Sequence, residues 1–461
     1  MNIDILFSIL TIPEVKFLKC IGEELIKRKI KVGFILFHSA GEDILKDTTF
    51  KVFNIHKIKN KFKFCLEDNI GIEKEYNILN LREIFIREKV SYNRKDEEKL
   101  YKTTFIYLKI LDYILKECQP KCVIQELGDF VANKCVYYAS LKNKVNHIFY
   151  EPSPFKGRIF FTLNNYYVDI PQDILNQEFD YEIQKEVKRY QDDYLTKGEM
   201  VIPFKDKYSF GDATVSRFVN LEYFRRLKRK IFHKYLVKKE EEYNEIFWVI
   251  RYTLLRLFRR KILSLCYSKV NNEKYIYFPL HVPFDIQITT RSNLFYNQIA
   301  FVEYLARIIP YGYKLYIKEH PASVGGYSFW GIRNLLREHN NVRLIHPIFS
   351  SYHLIKNAEL IISINSKVGF EALVQGEKVL VVGDAFYKGK GVTYDVDNLK
   401  NLQEKLIQAL DSHPPDKNKI FKFLCAAYKW SYPTELFLIE KNNLEQAFNS
   451  FYAFLSDNIL R

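Results

Sequence analysis

Two apolar runs in the second half of this 461-residue chain end in residues suited to gripping a phosphate. Tyr313 to Ile317 leads into Lys318-Glu319-His320-Pro321, so a buried strand would deliver a cation and an imidazole to its C-terminal end, where Pro321 stops the ladder. Beside a phosphate leaving group Lys318 would neutralise charge and His320 would donate a hydrogen bond, which makes His320 a candidate for catalysis as well as for binding. Leu360 to Ile362 leads into Ser363-Ile364-Asn365-Ser366-Lys367-Val368-Gly369-Phe370-Glu371. The hydroxyls, the amide and the N–H groups of a helix start form an anion site there. Gly369 permits close approach, and Glu371 would accept from a ribose hydroxyl.

Weaker signals flank these two. Gly389-Lys390-Gly391, with Lys388, would close over a phosphate, although the Walker spacing is absent. His281, Asp285 and Gln287 follow the strand-like run Lys274 to Leu280 and would face a ligand from the edge of a sheet. Cys118 and Cys122 have no matching Cys or His pair at zinc-ligand spacing.

The elements that must hold these residues alternate. Residues 3 to 9 read as a strand, 13 to 28 as an amphipathic helix and 30 to 37 as a second strand, a βαβ unit. Residues 43 to 95 stay unplaced. A helix is expected over 96 to 117, a strand over 121 to 124, a helix to about 141 and a strand over 147 to 150. Three strand ends then present His38, Glu126 with Asp129, and Glu151. The second half repeats the pattern with strands at 274 to 280, 313 to 317, 342 to 344, 360 to 364 and 378 to 382, and helices at 297 to 309 and 367 to 375. The expected fold class is α/β, with two doubly wound Rossmann-like domains, a helical connecting segment and C-terminal helices. The boundaries fall at 1–215, 216–270, 271–415 and 416–461.

The composition, 48% hydrophobic and 16% aromatic, describes a packed protein and excludes long disorder. Seven scattered cysteines read as reduced thiols in a cytoplasmic protein, and the opening apolar run is too short and too soon interrupted by Pro13 and Glu14 to span a membrane. The net charge of +15 is concentrated in part between Glu222 and Lys261, with 13 Lys and Arg against 5 Glu. Cations alternating with aromatic and aliphatic residues fit either an anionic membrane surface or helices packed on a domain. A nucleic-acid partner is not expected, because no recognised binding module is visible.

The segments FPLHVPFDIQ, KEHP and SINSKVGFEALVQGEKVLVVGDAFYKGKG, within about residues 275 to 395, resemble the capsule polysaccharide biosynthesis family, which includes bacterial Kdo transferases. The resemblance implies a two-lobed GT-B glycosyltransferase with the donor nucleotide in the C-terminal lobe and the acceptor on the N-terminal side. It implies that Lys318, His320, Ser363, Asn365, Ser366 and Glu371 hold the nucleotide, CMP where the sugar is Kdo-like. HVPFD stands where many relatives carry glutamine or a QPE sequence, which leaves the donor sugar open. The acceptor is a saccharide or a lipid-linked saccharide, and no cofactor is expected.

Transfer needs a carboxylate to stabilise an oxocarbenium-like centre or to deprotonate the acceptor. Glu126 ranks first, with Asp129 and Glu151 behind it. Asp395-Val396-Asp397 has the spelling of a metal-binding pair but sits at an apparent helix start, where aspartates cap, so metal-independent transfer is expected. The rival readings are a CDP-glycerol-type polyol-phosphate transferase and a non-catalytic partner in polysaccharide assembly.

Overall fold

The computed structural model describes residues 3–59, 62, 71–92, 96–199, 201–209, 221–236 and 246–460; Cys65 lies outside them. In chain order, β1 (Ile5–Ile9), α1 (Ile12–Lys27), β2 (Val32–Leu36), β3 (Lys51–Asn54), α2 (Leu81–Tyr92), α3 (Glu97–Cys118), β4 (Cys122–Glu126), α4 (Val131–Lys142), β5 (Asn146–Pro152) and β6 (Arg158–Leu163) build a first lobe. Helices α5 (Tyr181–Lys197), α6 (Leu221–Tyr235) and α7 (Ile246–Leu263) lead to the second lobe. It comprises β7 (Tyr275–Pro279), α8 (Gln298–Ile308), β8 (Lys314–Lys318), α9 (Phe329–Glu338), β9 (Val342–Ile345), β10 (Leu360–Ser363), α10 (Lys367–Gln375), β11 (Val379–Val381), β12 (Tyr394–Asp395) and α11 (Leu402–Asp411). The chain closes with α12 (Lys417–Trp430), β13 (Tyr432–Pro433) and α13 (Lys441–Asn458).

The first sheet has the order β13-β6-β5-β4-β1-β2-β3, with β3 to β5 parallel and the β6 edge antiparallel. The second, β12-β11-β10-β7-β8-β9, is parallel throughout. Both are wound with helices on two faces, because strands buried on both sides need cover on both. Leu6 of β1 packs into the cluster formed with α3 and α4, while Ile5 and Phe7 point the other way, toward α1 and α13. In the second lobe Ile276 and Phe278 face α8 and α11, and Tyr275 and Tyr277 face α10 and α12. The two doubly wound α/β lobes expected from the alternation, and the GT-B-like arrangement implied by the resemblance, are therefore the observed ones.

The chain crosses between lobes more than once. Helix α5, within the 1–215 segment, places Val187 and Tyr194 in the core beneath α10 and α12. After α12, β13 pairs with β6 and α13 covers the first sheet. The unplaced stretch 43 to 95 contains edge strand β3 and helix α2. Asp395 does not start a helix: it lies in the two-residue edge strand β12, because Val396 donates its N–H to Val381 and extends the sheet.

Candidate active site

A cavity of about 630 Å³ opens where the C-terminal ends of the two sheets face each other. Its first-lobe wall carries Thr11 and Glu14 after β1, Glu126 at the end of β4 with Asp129 beyond it, and Glu151 near the end of β5. Its second-lobe wall carries His281, Asp285 and Gln287 after β7, His320 after β8, and Asn365, Ser366 and Lys367 between β10 and α10. Lys205 and Arg87 complete the lining.

The second-lobe wall gathers two imidazoles, a lysine and a helix N-terminus. Ser366 caps α10, its Oγ accepting from Val368 N at 3.0 Å. The N-terminus of α10 therefore points at the cavity with Lys367 in its first turn, and Lys367 Nζ also donates to the Val201 carbonyl. Asn365 donates to the Gln287 carbonyl at 2.8 Å, while its buried Oδ1 has no hydrogen-bond partner among the described residues. His320 Nδ1 accepts from Ala322 N at 3.2 Å, so the neutral ring carries its proton on Nε2. Burial holds the His320 pKa down to about 4 against the attraction of Asp285, helped by repulsion from His281, Lys318 and Lys367. Burial also lowers His281, whose Nε2 has no hydrogen-bond partner among the described residues.

Four residues expected to hold the nucleotide stand behind this wall. Lys318 Nζ donates to the Phe349 carbonyl at 2.8 Å and to Ser351 Oγ at 2.6 Å, and burial drops its pKa to about 8. Ser363 Oγ accepts from Ser366 N at 3.0 Å and bonds Tyr387 Oη at 2.8 Å. Gly369 packs against the Tyr387 hydroxyl. Glu371 is buried near Lys318, Lys367 and Tyr194, and burial raises its pKa to about 7. These four shape the turn that presents Asn365 and Ser366, and Glu371 does not reach the cavity as a ribose partner would.

The first-lobe carboxylates separate by what holds them. Asp129 is buried and accepts from Thr289 Oγ1, with Arg87 Nε at 3.6 Å. Glu151 forms a two-pronged ion pair with Arg291, whose Nη1 is 3.0 Å from Glu151 Oε2. Thr289 and Arg291 belong to a single π-helical turn, Gln287–Arg291, of the opposite lobe. Asp129 and Glu151 are thus ties between the lobes. Glu126 is different: its carboxylate meets Lys205 Nζ at 2.8 Å on the cavity wall.

Glu14 was missed as a functional residue. Its Oε2 accepts from Thr11 N at 2.6 Å and from Leu10 N at 2.9 Å, closing the capping box of α1 beneath the cavity. Burial, then repulsion by Glu126, raises its pKa to about 8. The signal was the Thr11-x-x-Glu14 spacing directly after a strand.

The glycine loop does not offer its lysines. Lys388 binds the Val396 carbonyl at 3.0 Å and Asp397 at 3.1 Å, and Lys390 binds Asp169 at 2.7 Å. Asp395 accepts from Gly389 N at 2.8 Å and Thr393 Oγ1 at 2.7 Å, so it fastens this loop. His38 accepts from Gly41 N at 3.1 Å, away from the cavity lining. Among the described residues no three His, Cys, Asp or Glu side chains gather as metal ligands.

Two Rossmann-like lobes facing one cavity define a protein of GT-B-like fold. Residues 220–419 match the family model for the capsule polysaccharide biosynthesis protein. Protein FixF of Sinorhizobium fredii is 29% identical over 160 residues, 34% of this chain and 37% of that protein. The capsule polysaccharide export protein KpsS of Escherichia coli is 27% identical over 161 residues, 32% of this chain and 40% of that one. The chain thus matches about two fifths of the length of these curated relatives. Among solved structures, the KpsC β-Kdo 2,7 transferase of Thermosulfurimonas dismutans aligns with 98% of this chain and 99% of its own at 12% identity and a TM-score of 0.41.

Proposed function

We propose that this protein is a glycosyltransferase of capsule-type surface polysaccharide synthesis that draws on a nucleotide-activated sugar, CMP-Kdo or a similar acidic sugar. The observation that carries the reading is the division of one cavity into an anion-binding wall and a carboxylate wall. The donor phosphate would lie against Ser366, Lys367 and the N-terminus of α10, with His320 Nε2–H and His281 toward its oxygens. Glu126 stands on the acceptor side. As the bond from the anomeric carbon to the phosphate oxygen breaks and the bond to an acceptor hydroxyl forms, Glu126 would take the hydroxyl proton. The α10 terminus and Lys367 would balance the charge left on the phosphate. Lys205 Nζ lies 2.8 Å from the Glu126 carboxylate. Transfer in this reading needs no metal, and the acceptor is a saccharide or lipid-linked saccharide handled at the inner face of the membrane.

The test is a thermal-shift panel of CMP, CDP, UDP and GDP, followed by turnover with the matching activated sugars in the presence and absence of EDTA. One nucleotide should raise the melting temperature by about 4 °C, and His320→Ala should abolish most of that shift. A CDP response with turnover of CDP-glycerol would favour polyol-phosphate transfer instead. No response to any nucleotide would favour a non-catalytic assembly partner, and an unchanged response in His320→Ala would sink the site assignment.

A further inference from the structure

Helix α7 has two apolar sides, and among the described residues one of them is covered while the other is exposed. On the inner side Trp248 Nε1 donates to the Ser91 carbonyl, and the Tyr252 ring lies 5.8 Å from that of Phe284 on the cavity wall. The Arg256 guanidinium donates to the Ala322 carbonyl at 3.0 Å and to that of Val324 at 3.2 Å. These contacts pin the helix beside the cavity. On the outer side Phe247, Ile250, Arg251, Leu254, Leu255 and Phe258 recur at three- and four-residue spacing and line a shallow groove. Phe247 is 78% exposed, Leu254 56% and Phe258 64%, a cluster too large and too continuous to be incidental.

The charge along α7 has one sign. Helix α7 carries five Lys and Arg and no Asp or Glu. Helix α6 adds exposed Arg225, Lys228 and Arg229 with exposed Ile231 on the same element, and exposed Leu236 follows it. None of the described helices is long and apolar enough to cross a membrane. A second copy of the chain would set cations against cations, and a nucleic acid would leave the phenylalanines in water. Anionic headgroups over an acyl boundary satisfy both kinds of side chain.

We propose that the outer face of α7, extended by α6, seats on an anionic lipid bilayer, with Phe247, Leu254 and Phe258 inserted at the headgroup boundary. This deepens the peripheral location proposed above and rests on it only for the side of the membrane engaged. Seated so, the protein holds the Phe284 edge of its cavity close to the lipid surface.

Co-sedimentation of the full chain with vesicles, without donor or acceptor, tests the face separately from the reaction. Wild-type protein should pellet with phosphatidylcholine vesicles containing about 30% phosphatidylglycerol and stay in solution with phosphatidylcholine alone. Raising NaCl to about 0.5 M should release much of it. The Phe247→Ser/Leu254→Ser/Phe258→Ser variant should partition about tenfold less while keeping its circular dichroism and nucleotide thermal shift. Arg251→Gln/Lys261→Gln should weaken binding only to the anionic vesicles. The proposal is overturned if wild-type protein ignores both vesicle types, if the triple variant pellets like wild type, or if sedimentation velocity shows the face holding two copies together in place of lipid.

Discussion

Glu14 and Glu126 line the same wall of the cavity, and the first is held protonated by burial and by the charge of the second. A carboxyl whose folded pKa is raised stabilises the native state fully below its unfolded pKa of 4.5 and loses that contribution as pH rises through about 8. Glu371, raised to about 7, acts in the same direction, whereas His147 and His320, lowered to about 3 and about 4, favour the fold above their unfolded value and lose that as pH falls. Subtracting wild type from Glu14→Gln isolates one group. The stability of the variant relative to wild type, measured by urea unfolding, should increase between about pH 5 and pH 8 by on the order of 3 kcal/mol. A flat difference would mean that Glu14 is ionised in the folded protein. At this scale the sequence was legible where a residue acts near its own strand. His320, Asn365, Ser366 and Glu126 all reach the cavity. Asp129 and Glu151 carried the same strand-end signal, but Thr289 and Arg291, which engage them, come from the opposite lobe and could not be paired in advance.

Helix α10 is placed by a contact that leaves no room for a methyl group. A Cβ on Gly369 would come within 2.9 Å of Ser363 Oγ and closer still to the Tyr387 hydroxyl, which bonds both Ser363 and the Ser366 carbonyl. Gly369→Ala should therefore cost about 2 kcal/mol in denaturant unfolding and weaken nucleotide binding. Adding Tyr387→Phe should recover part of the stability by removing the clashing oxygen. If the single variant is as stable as wild type, the packing role is wrong. The buried strands could be read because each is a short apolar run ending in Gly, Pro or polar residues, as β8 and β10 do. Edge strands β3 and β13 were not, because partly exposed or two-residue pairings carry little hydrophobic period. The glycine loop misled for a related reason: its lysines had polar partners in Asp169 and Asp397 that composition alone does not assign.

Across the whole molecule, the last helix belongs to the first lobe. Phe451 and Phe454 of α13 lie 4.9 and 4.6 Å, centroid to centroid, from Phe161 of β6, and Phe451 also meets Tyr150 of β5 at 5.5 Å. Phe451→Ala should cost about 4 kcal/mol, as much as a core truncation within a single unbroken domain, with the loss seen in first-lobe unfolding. A change under about 1 kcal/mol would show that α13 is only loosely applied. The two-lobed alternation was legible from periodicity. The return of residues 432–458 to the first sheet was not, since an amphipathic helix does not state which apolar face it will cover.

That return sets an order on synthesis. Strands β1 to β6 leave the ribosome before the second lobe does, yet the face of their sheet that α13 covers stays bare until residues 441–458 have been made. The second lobe's own strands and helices between about residues 263 and 411 are contiguous in sequence and can close earlier. Domains generally fold in the order they are made. Here the half made first finishes last, and its uncovered phenylalanines are what a chaperone would have to shield in the interval.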